Sequence, residues 1–268
     1  FCNMLNINTL PEQSENEFGH YRAMHKLINS NEEYINFEKK YVEKLKDQSN
    51  IIFEKKKCVI FLRSKGIKSL DVSAKVRDTD TIDNYREAIE SNIENGWQFF
   101  ISGDEIEIPS WTNKYKSEII FRTKSNLRSE EYHLMVGVIA DCFISSGSGP
   151  VAWKYLTPEK PFLVLDGYPL SFGWYKSTVA FKVVENKHFS NFEEIFNDKN
   201  MMVNPPINCR FLDSKEKKVI ISDFLDNFML NKVSGLDWID LNLDENCLFN
   251  AGYAKASRHW VNIQKKTL

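Results

Sequence analysis

Cys142-Phe143-Ile144-Ser145-Ser146-Gly147-Ser148-Gly149-Pro150 is the stretch on which the reading of this chain turns. An apolar run that needs burial on both faces leads into a loop of small residues, and Pro150 is shaped for the first turn of a following helix. Gly147 and Gly149 leave room for backbone N–H groups to approach an anion, while Ser145, Ser146 and Ser148 add hydroxyls. The positive end of the helix would face whatever the loop holds, which is the arrangement of a phosphate cradle at the carboxyl end of a strand. A tight turn without a ligand is the competing reading, because short glycine motifs recur by chance.

The flanking sequence alternates strand and helix signals. Cys58–Leu62 is an uncharged apolar run, the stripe Ile82, Tyr85, Ile89 and Ile93 predicts a helix with Asp80 or Thr81 as its cap and its stop at Asn95-Gly96, and Trp97–Ile101 predicts the next strand. Pro109–Lys116 reads as irregular loop, Glu118–Phe121 as a brief strand, and Ser129 as the cap of a helix running to about Asp141. Phe143–Ser145 then feeds the glycine loop, a short helix reaches Pro158, and Pro161–Leu165 and Thr178–Val184 are further strands. An amphipathic helix is expected over Asn31–Gln48, and a helix with an Asp-x-x-Glu start over Asp213–Lys232. This order predicts an α/β fold, a Rossmann-like parallel sheet flanked by helices with helical N- and C-terminal extensions. The expected organisation is a mostly helical segment over 1–57, a nucleotide-binding unit over 58–200 and a helical extension over 201–268.

Bulk properties narrow the classes. The chain has 268 residues, 42% hydrophobic, and carries 35 Lys and Arg against 37 Asp and Glu, a net charge of −2. No global field draws it to nucleic acid, so any phosphate site must be local. Five cysteines without a Cys-x-x-Cys spacing or a histidine partner fit reduced thiols in a cytoplasmic setting. No apolar run approaches the roughly 20 residues that span a bilayer, which leaves peripheral membrane association as the mode of contact with a membrane. The histidines at 20, 25, 133, 188 and 259 form no metal-ligand spacing.

Several features in order resemble a family of bacterial glycosyltransferases with the two-domain GT-B architecture. They are the strand ending at Arg63, Arg77-Asp78-Thr79-Asp80 before a helix with Tyr85 and Ala88, Gly96-Trp97 through Ser102-Gly103-Asp104, Arg128-Ser129-Glu130, Ala140 through Gly149, and Tyr168-Pro169-Leu170. The resemblance covers Cys58 to about Lys182 and implies a donor-binding domain of the GT-B C-terminal type. It implies a nucleotide-sugar donor as substrate, no further cofactor, and a glycan or lipid-linked acceptor in cell-surface polysaccharide synthesis. The chain departs from that pattern before Cys58, where 57 residues are too few for a complete Rossmann-like acceptor domain.

Within this frame Arg63 and Arg77 follow the first strand, where a guanidinium fork suits a diphosphate, and Arg77 is the stronger candidate for stabilising a leaving phosphate. Gly103 and Asp104 follow the second strand, and Asp104 is a candidate for orienting ribose hydroxyls or acting as a base, with a turn-stabilising carboxylate as its alternative. Asp78-Thr79-Asp80 spells an Asp-x-Asp, but helix capping accounts for Asp80 and no metal is expected. Two other readings stay open. One is a nucleotide-binding module without turnover. The other is an NAD(P)-dependent oxidoreductase, for which Gly147-x-Gly149-x-x-Ala152 supplies the fingerprint and Asp166 the ribose-binding acid.

Overall fold

The computed structural model describes residues 39–62, 80–103, 107–146, 157, 160–167, 178–185, 209–229, 238–240 and 255–267. Helix α1 (Lys39–Ser49) precedes strand β1 (Lys56–Phe61), and a 3-10 turn at Ile82–Tyr85 opens directly into α2 (Arg86–Glu94). Strands β2 (Trp97–Ser102) and β3 (Ile119–Phe121) follow, then α3 (Ser129–Ile139), β4 (Cys142–Ser145), β5 (Phe162–Gly167), β6 (Thr178–Phe181) and β7 (Val183–Val184). The C-terminal part supplies β8 (Cys209–Arg210), α4 (Ser214–Met229), β9 (Trp238–Asp240), β10 (Lys255–Ser257) and α5 (Arg258–Thr267).

Among the described residues, eight strands form one sheet in the order β3-β2-β1-β4-β5-β6-β10-β9, and β7 pairs with β8 in a separate ribbon. Every neighbouring pair in the large sheet is parallel except β10 with β9. The expected Rossmann-like parallel sheet is therefore present, and its first six strands follow the 3-2-1-4-5-6 order of dinucleotide-binding folds. Continuous apolar runs account for the central strands: β2, β4 and β5 are buried throughout, because helices must cover both faces of a parallel sheet. Along one face Phe100, Val59, Phe143 and Phe162 stand in register across four strands. The rings of Phe143 and Phe162 lie 5.8 Å apart and those of Phe61 and Phe143 6.1 Å apart, within the range where aromatic pairs add about 0.5–1.5 kcal/mol each.

Two groups of helices pack on this sheet. Helix α1 lies against α3, whereas α2 lies against α4, which also meets α5. Buried Asn92 joins the second group, donating from Nδ2 to the Ala88 carbonyl at 2.8 Å and to Ser222 Oγ at 3.0 Å. The edge of the α3 group is set by Glu131, whose carboxylate accepts the Arg128 backbone N–H at 3.1 Å and its guanidinium at 2.9 Å.

The structure departs from the sequence expectations at four places. Pro109–Lys116, expected as irregular loop, contains a 3-10 turn at Ser110–Tyr115. The helix start at Ser129 has Arg128 rather than Ser129 in the capping position, since Glu131 reaches back to Arg128. The strand Thr178–Val184 is two strands: Lys182 donates its N–H to the Gly167 carbonyl at 2.9 Å, and Val183–Val184 then turns away to pair with Cys209–Arg210. Beyond the helices expected after residue 201, β10 adds to the sheet beside β6. The helical segment before Lys39 and the helix reaching Pro158 lie outside the described residues.

Gly96, the predicted stop of α2, has φ 85° and closes the helix by donating its N–H to the Ile93 carbonyl at 3.0 Å. A Cβ placed there meets nothing within 4 Å, so the cost of a side chain is purely conformational. Gly96→Ala is expected to lower the unfolding free energy by about 1 kcal/mol in urea titration, with an unchanged slope. A neutral or stabilising substitution would show that the left-handed backbone is not needed at the helix end.

Candidate functional site

The strand order reverses between β1 and β4, because the chain runs outward through β1, β2 and β3 and then returns to the other side of β1. At such a point the connections leaving two adjacent strands diverge and open a crevice at the carboxyl edge, the usual ligand position in open α/β sheets. The carboxyl ends that border it are Phe61–Leu62 and Ser145–Ser146, with Phe61 in register with Ser145. The glycine loop singled out in the sequence thus begins at the switch point.

The bases of β1 and β4 are locked together. The Lys57 N–H donates to Asp141 Oδ2 at 2.7 Å, and the Asp141 N–H donates to the Lys57 carbonyl at 2.8 Å. Cys58 and Cys142 then lie side by side in register, both buried. Burial, and next the neighbouring Cys58, push the Cys142 thiol well above its ordinary range, so this pair is an apolar element of the core rather than a nucleophile.

At the upper edge, Ser145 and Ser146 are buried, and Ser145 Oγ donates to the Ser146 carbonyl at 2.7 Å. Ser145 therefore stiffens the entry to the loop. Gly103, at the exit of β2, has φ 146°, a conformation costly for any residue with a side chain. The neighbouring Leu62 N–H donates to the Ser102 carbonyl at 2.8 Å, continuing the β1–β2 ladder one step past β1. Arg63, Arg77, Asp104, Gly147, Ser148 and Gly149 lie outside the described residues, as do Asp78, Ala152, Tyr168, Trp174 and Tyr175. Arg128, just before α3, is an exposed partner of Glu131.

Sequence reasoning missed a buried charge cluster at this same edge. Lys217, on the first turn of α4, has a fully buried side chain with its Nζ 2.8 Å from Asp80 Oδ2 and 2.8 Å from Asp166 Oδ2. It also donates to the Leu212 carbonyl, and the rings of Tyr85 and Phe211 stand 5.3 and 5.9 Å from the ammonium. Asp166 Oδ1 accepts the Leu212 N–H at 2.8 Å. Two of the sequence readings change as a result. Asp80 is not the helix cap: its Oδ1 accepts the adjacent Thr81 N–H at 2.8 Å and its Oδ2 takes Asn84 Nδ2 at 2.8 Å along with Lys217. Asp166 cannot serve as a ribose-binding acid, because it is wholly buried and both of its oxygens face Leu212 and Lys217. A signal for Lys217 was present in the sequence, since Lys217, Ile220, Ile221, Phe224 and Leu225 fall on one helical stripe and all are buried.

No protein-family model matches the chain, and no curated protein matches it. Solved structures similar to it include the glycosyl transferase family 9 protein from Veillonella parvula DSM 2008, with TM-score 0.45 and 9% identity over 75% of this chain and 55% of that one. They also include the wall teichoic acid polymerase TagF, with TM-score 0.34 and 11% identity over 83% of this chain and 59% of that one. A third is UDP-GlcNAc 2-epimerase from Neisseria meningitidis bound to UDP-GlcNAc, with TM-score 0.33 and 10% identity over 80% of this chain and 53% of that one. This chain spans little more than half the length of each, and likeness at these scores assigns no activity.

The cluster has a direct energetic consequence. Lys217→Met leaves two buried carboxylates facing each other, and is expected to destabilise the fold by about 3–5 kcal/mol, whereas adding Asp80→Asn and Asp166→Asn should recover most of the loss. Equal instability of the single and triple variants in urea would refute the charge account. Burial, partly opposed by Lys217, raises the Asp166 carboxyl above its ordinary value. A carboxyl that binds its proton more tightly when folded contributes stability below its unfolded pKa of about 3.9, and loses it as pH rises through the folded value. Asp166→Asn should remove that component of the stability–pH slope on the alkaline side of pH 4.

Proposed function

We propose that this chain binds a nucleotide-activated sugar at the β1/β4 switch point and takes part in glycosyl transfer to a glycan or lipid-linked acceptor. The observation that carries the binding half of this reading is the reversal of strand order directly at Ser145–Ser146, where the glycine loop starts. The transfer half is supported by the sequence resemblance over Cys58 to about Lys182. In this reading the backbone amides of Gly147, Ser148 and Gly149 and the guanidinium of Arg77 stabilise charge growing on the leaving phosphate, with Arg63 beside them. Asp104, next to Gly103, orients the donor ribose or takes the proton of the acceptor hydroxyl.

The proposed donor site works without a divalent metal. Of the Asp-x-Asp pair, Asp80 already accepts bonds from Thr81, Asn84 and Lys217, and its carboxylate lies buried against that ammonium. A metal would have to displace a buried cation to use it. Asp166, committed in the same cluster, takes away the acid that a dinucleotide fingerprint needs, which favours a nucleotide sugar over NAD(P).

The decisive measurement is thermal unfolding against UDP-, CDP-, GDP- and dTDP-sugars, the free nucleotides and NAD(P). A ligand at 100 times its Kd stabilises by about 2.7 kcal/mol, so one nucleotide class is expected to raise Tm by about 5 °C or more, with EDTA present. Gly147→Val should abolish the shift in a protein that still folds, since the branched side chain fills the space the phosphate needs. Stabilisation by NAD(P) alone, or only with Mg²⁺ or Mn²⁺, would overturn the reading. Donor binding without turnover on any glycan or lipid-linked acceptor would leave a nucleotide-binding module.

A further inference from the structure

Strand β5 leaves the sheet abnormally. Its pairing with β6 slips between Leu165 and Gly167, so that Asp166 is bulged out of the ladder, and Asp166 has φ 54°. A glycine stands at the very next position, yet the left-handed conformation falls on the aspartate. Bulges of this kind re-aim a side chain, and a strained non-glycine residue persists only where its surroundings over-determine it. Here they do so from three sides. The Leu212 N–H and the Lys217 ammonium each hold one carboxylate oxygen at 2.8 Å, and the Lys182 N–H holds the following Gly167 carbonyl at 2.9 Å. Lys217 in turn is anchored at 2.8 Å by Asp80, the residue before Thr81, which stands at the start of the 3-10 turn leading into α2.

The position of this joint gives it a purpose. Val164 is in register with Ser145, so the bulge two residues later lies at the same carboxyl edge as Ser145–Ser146, on the flank of β4 opposite β1. Stability is a poor explanation for burying one ammonium and two carboxylates there, because an apolar cluster of the same volume does as well or better. We infer that Lys217 is a positioning residue: through Asp166 it fixes the bulged end of β5 at the edge that Ser145–Ser146 reach, and so supports diphosphate binding at that edge. This inference rests on the nucleotide reading of the switch point. Lys217 itself is fully buried beneath the edge, its ammonium held between Asp80 and Asp166.

The test uses inorganic pyrophosphate, the part common to every nucleoside diphosphate, as the calorimetric probe, and amide hydrogen exchange on the free protein as the structural one. The variants are Lys217→Met with Asp80→Asn and Asp166→Asn, Asp166→Asn alone, and exposed Lys218→Met on the same helix turn as a control. In the folded triple variant pyrophosphate should bind at least 10-fold more weakly. Exchange should rise at least 10-fold over 164–167 and 211–213 while Cys58–Phe61 and Phe99–Ile101 keep their protection. Asp166→Asn, which tolerates the left-handed backbone and keeps an acceptor for Leu212, should show a smaller loss of the same pattern if the triple variant does not fold. Lys218→Met should change neither readout. Binding within 2-fold of wild type in folded variants, or exchange that rises evenly across the sheet, would overturn the inference. Wild-type protein that takes no pyrophosphate refutes the nucleotide reading and this inference together, an outcome visible before any substitution is made.

Discussion

Parallel pairing is the constraint from which the rest of this structure follows. A strand cannot reach a parallel neighbour by a tight turn, so each connection must cross back over a face, and every strand ends on the same edge of the sheet. That geometry covers both faces with helices and leaves the carboxyl edge to loops. It also explains why β2, β4 and β5 are buried along their whole length and why their sequences are nearly free of charge. The order reverses between β1 and β4, and the carboxyl edge at such a reversal is where open α/β sheets bind their ligands.

A second constraint acts at the same edge. Lys217 joins the residues leading into the first crossover helix, the end of β5 and the start of α4 through carboxylates and a carbonyl that are all taken out of water. Such a cluster is a weak source of stability, since desolvating the charges offsets much of their attraction. Its value lies in direction: charged groups in a low-dielectric interior tolerate few arrangements, whereas an apolar cluster tolerates many. The neighbouring aromatic rows on the sheet supply the non-directional part of the packing.

The C-terminal part of the chain shares in both constraints. Strand β10 extends the sheet beside β6, and Gln264 on α5 holds β7 by accepting the Val184 N–H at 2.8 Å and donating to its carbonyl at 2.9 Å. Arg210 and Glu216 form a two-pronged ion pair at 2.8 and 3.0 Å at the start of α4, where the Asp213–Glu216 capping expected from the sequence is in place. Helix α4, which carries Lys217, is thus tied to β8 of the β7–β8 ribbon independently of the buried cluster.

The amino-acid sequence by itself determined the local elements, because their signals are local. Apolar runs marked β1, β2, β4 and β5, a 3.6-residue stripe marked α2, and Asn95-Gly96 and Asp213-x-x-Glu216 marked helix ends. It also marked Ser145–Gly149 as a loop between strand and helix signals, which is all that spacing can show. Tertiary structure decided the strand order, and with it that this loop starts at the switch point, since pairing partners are set by long-range packing that no local window contains. It likewise decided the roles of Asp80 and Asp166, which short-range motifs had matched to a helix cap and a ribose acid. Lys217 lies 137 residues from Asp80 along the chain, and only burial of all three in one place turns ordinary charged residues into a single unit.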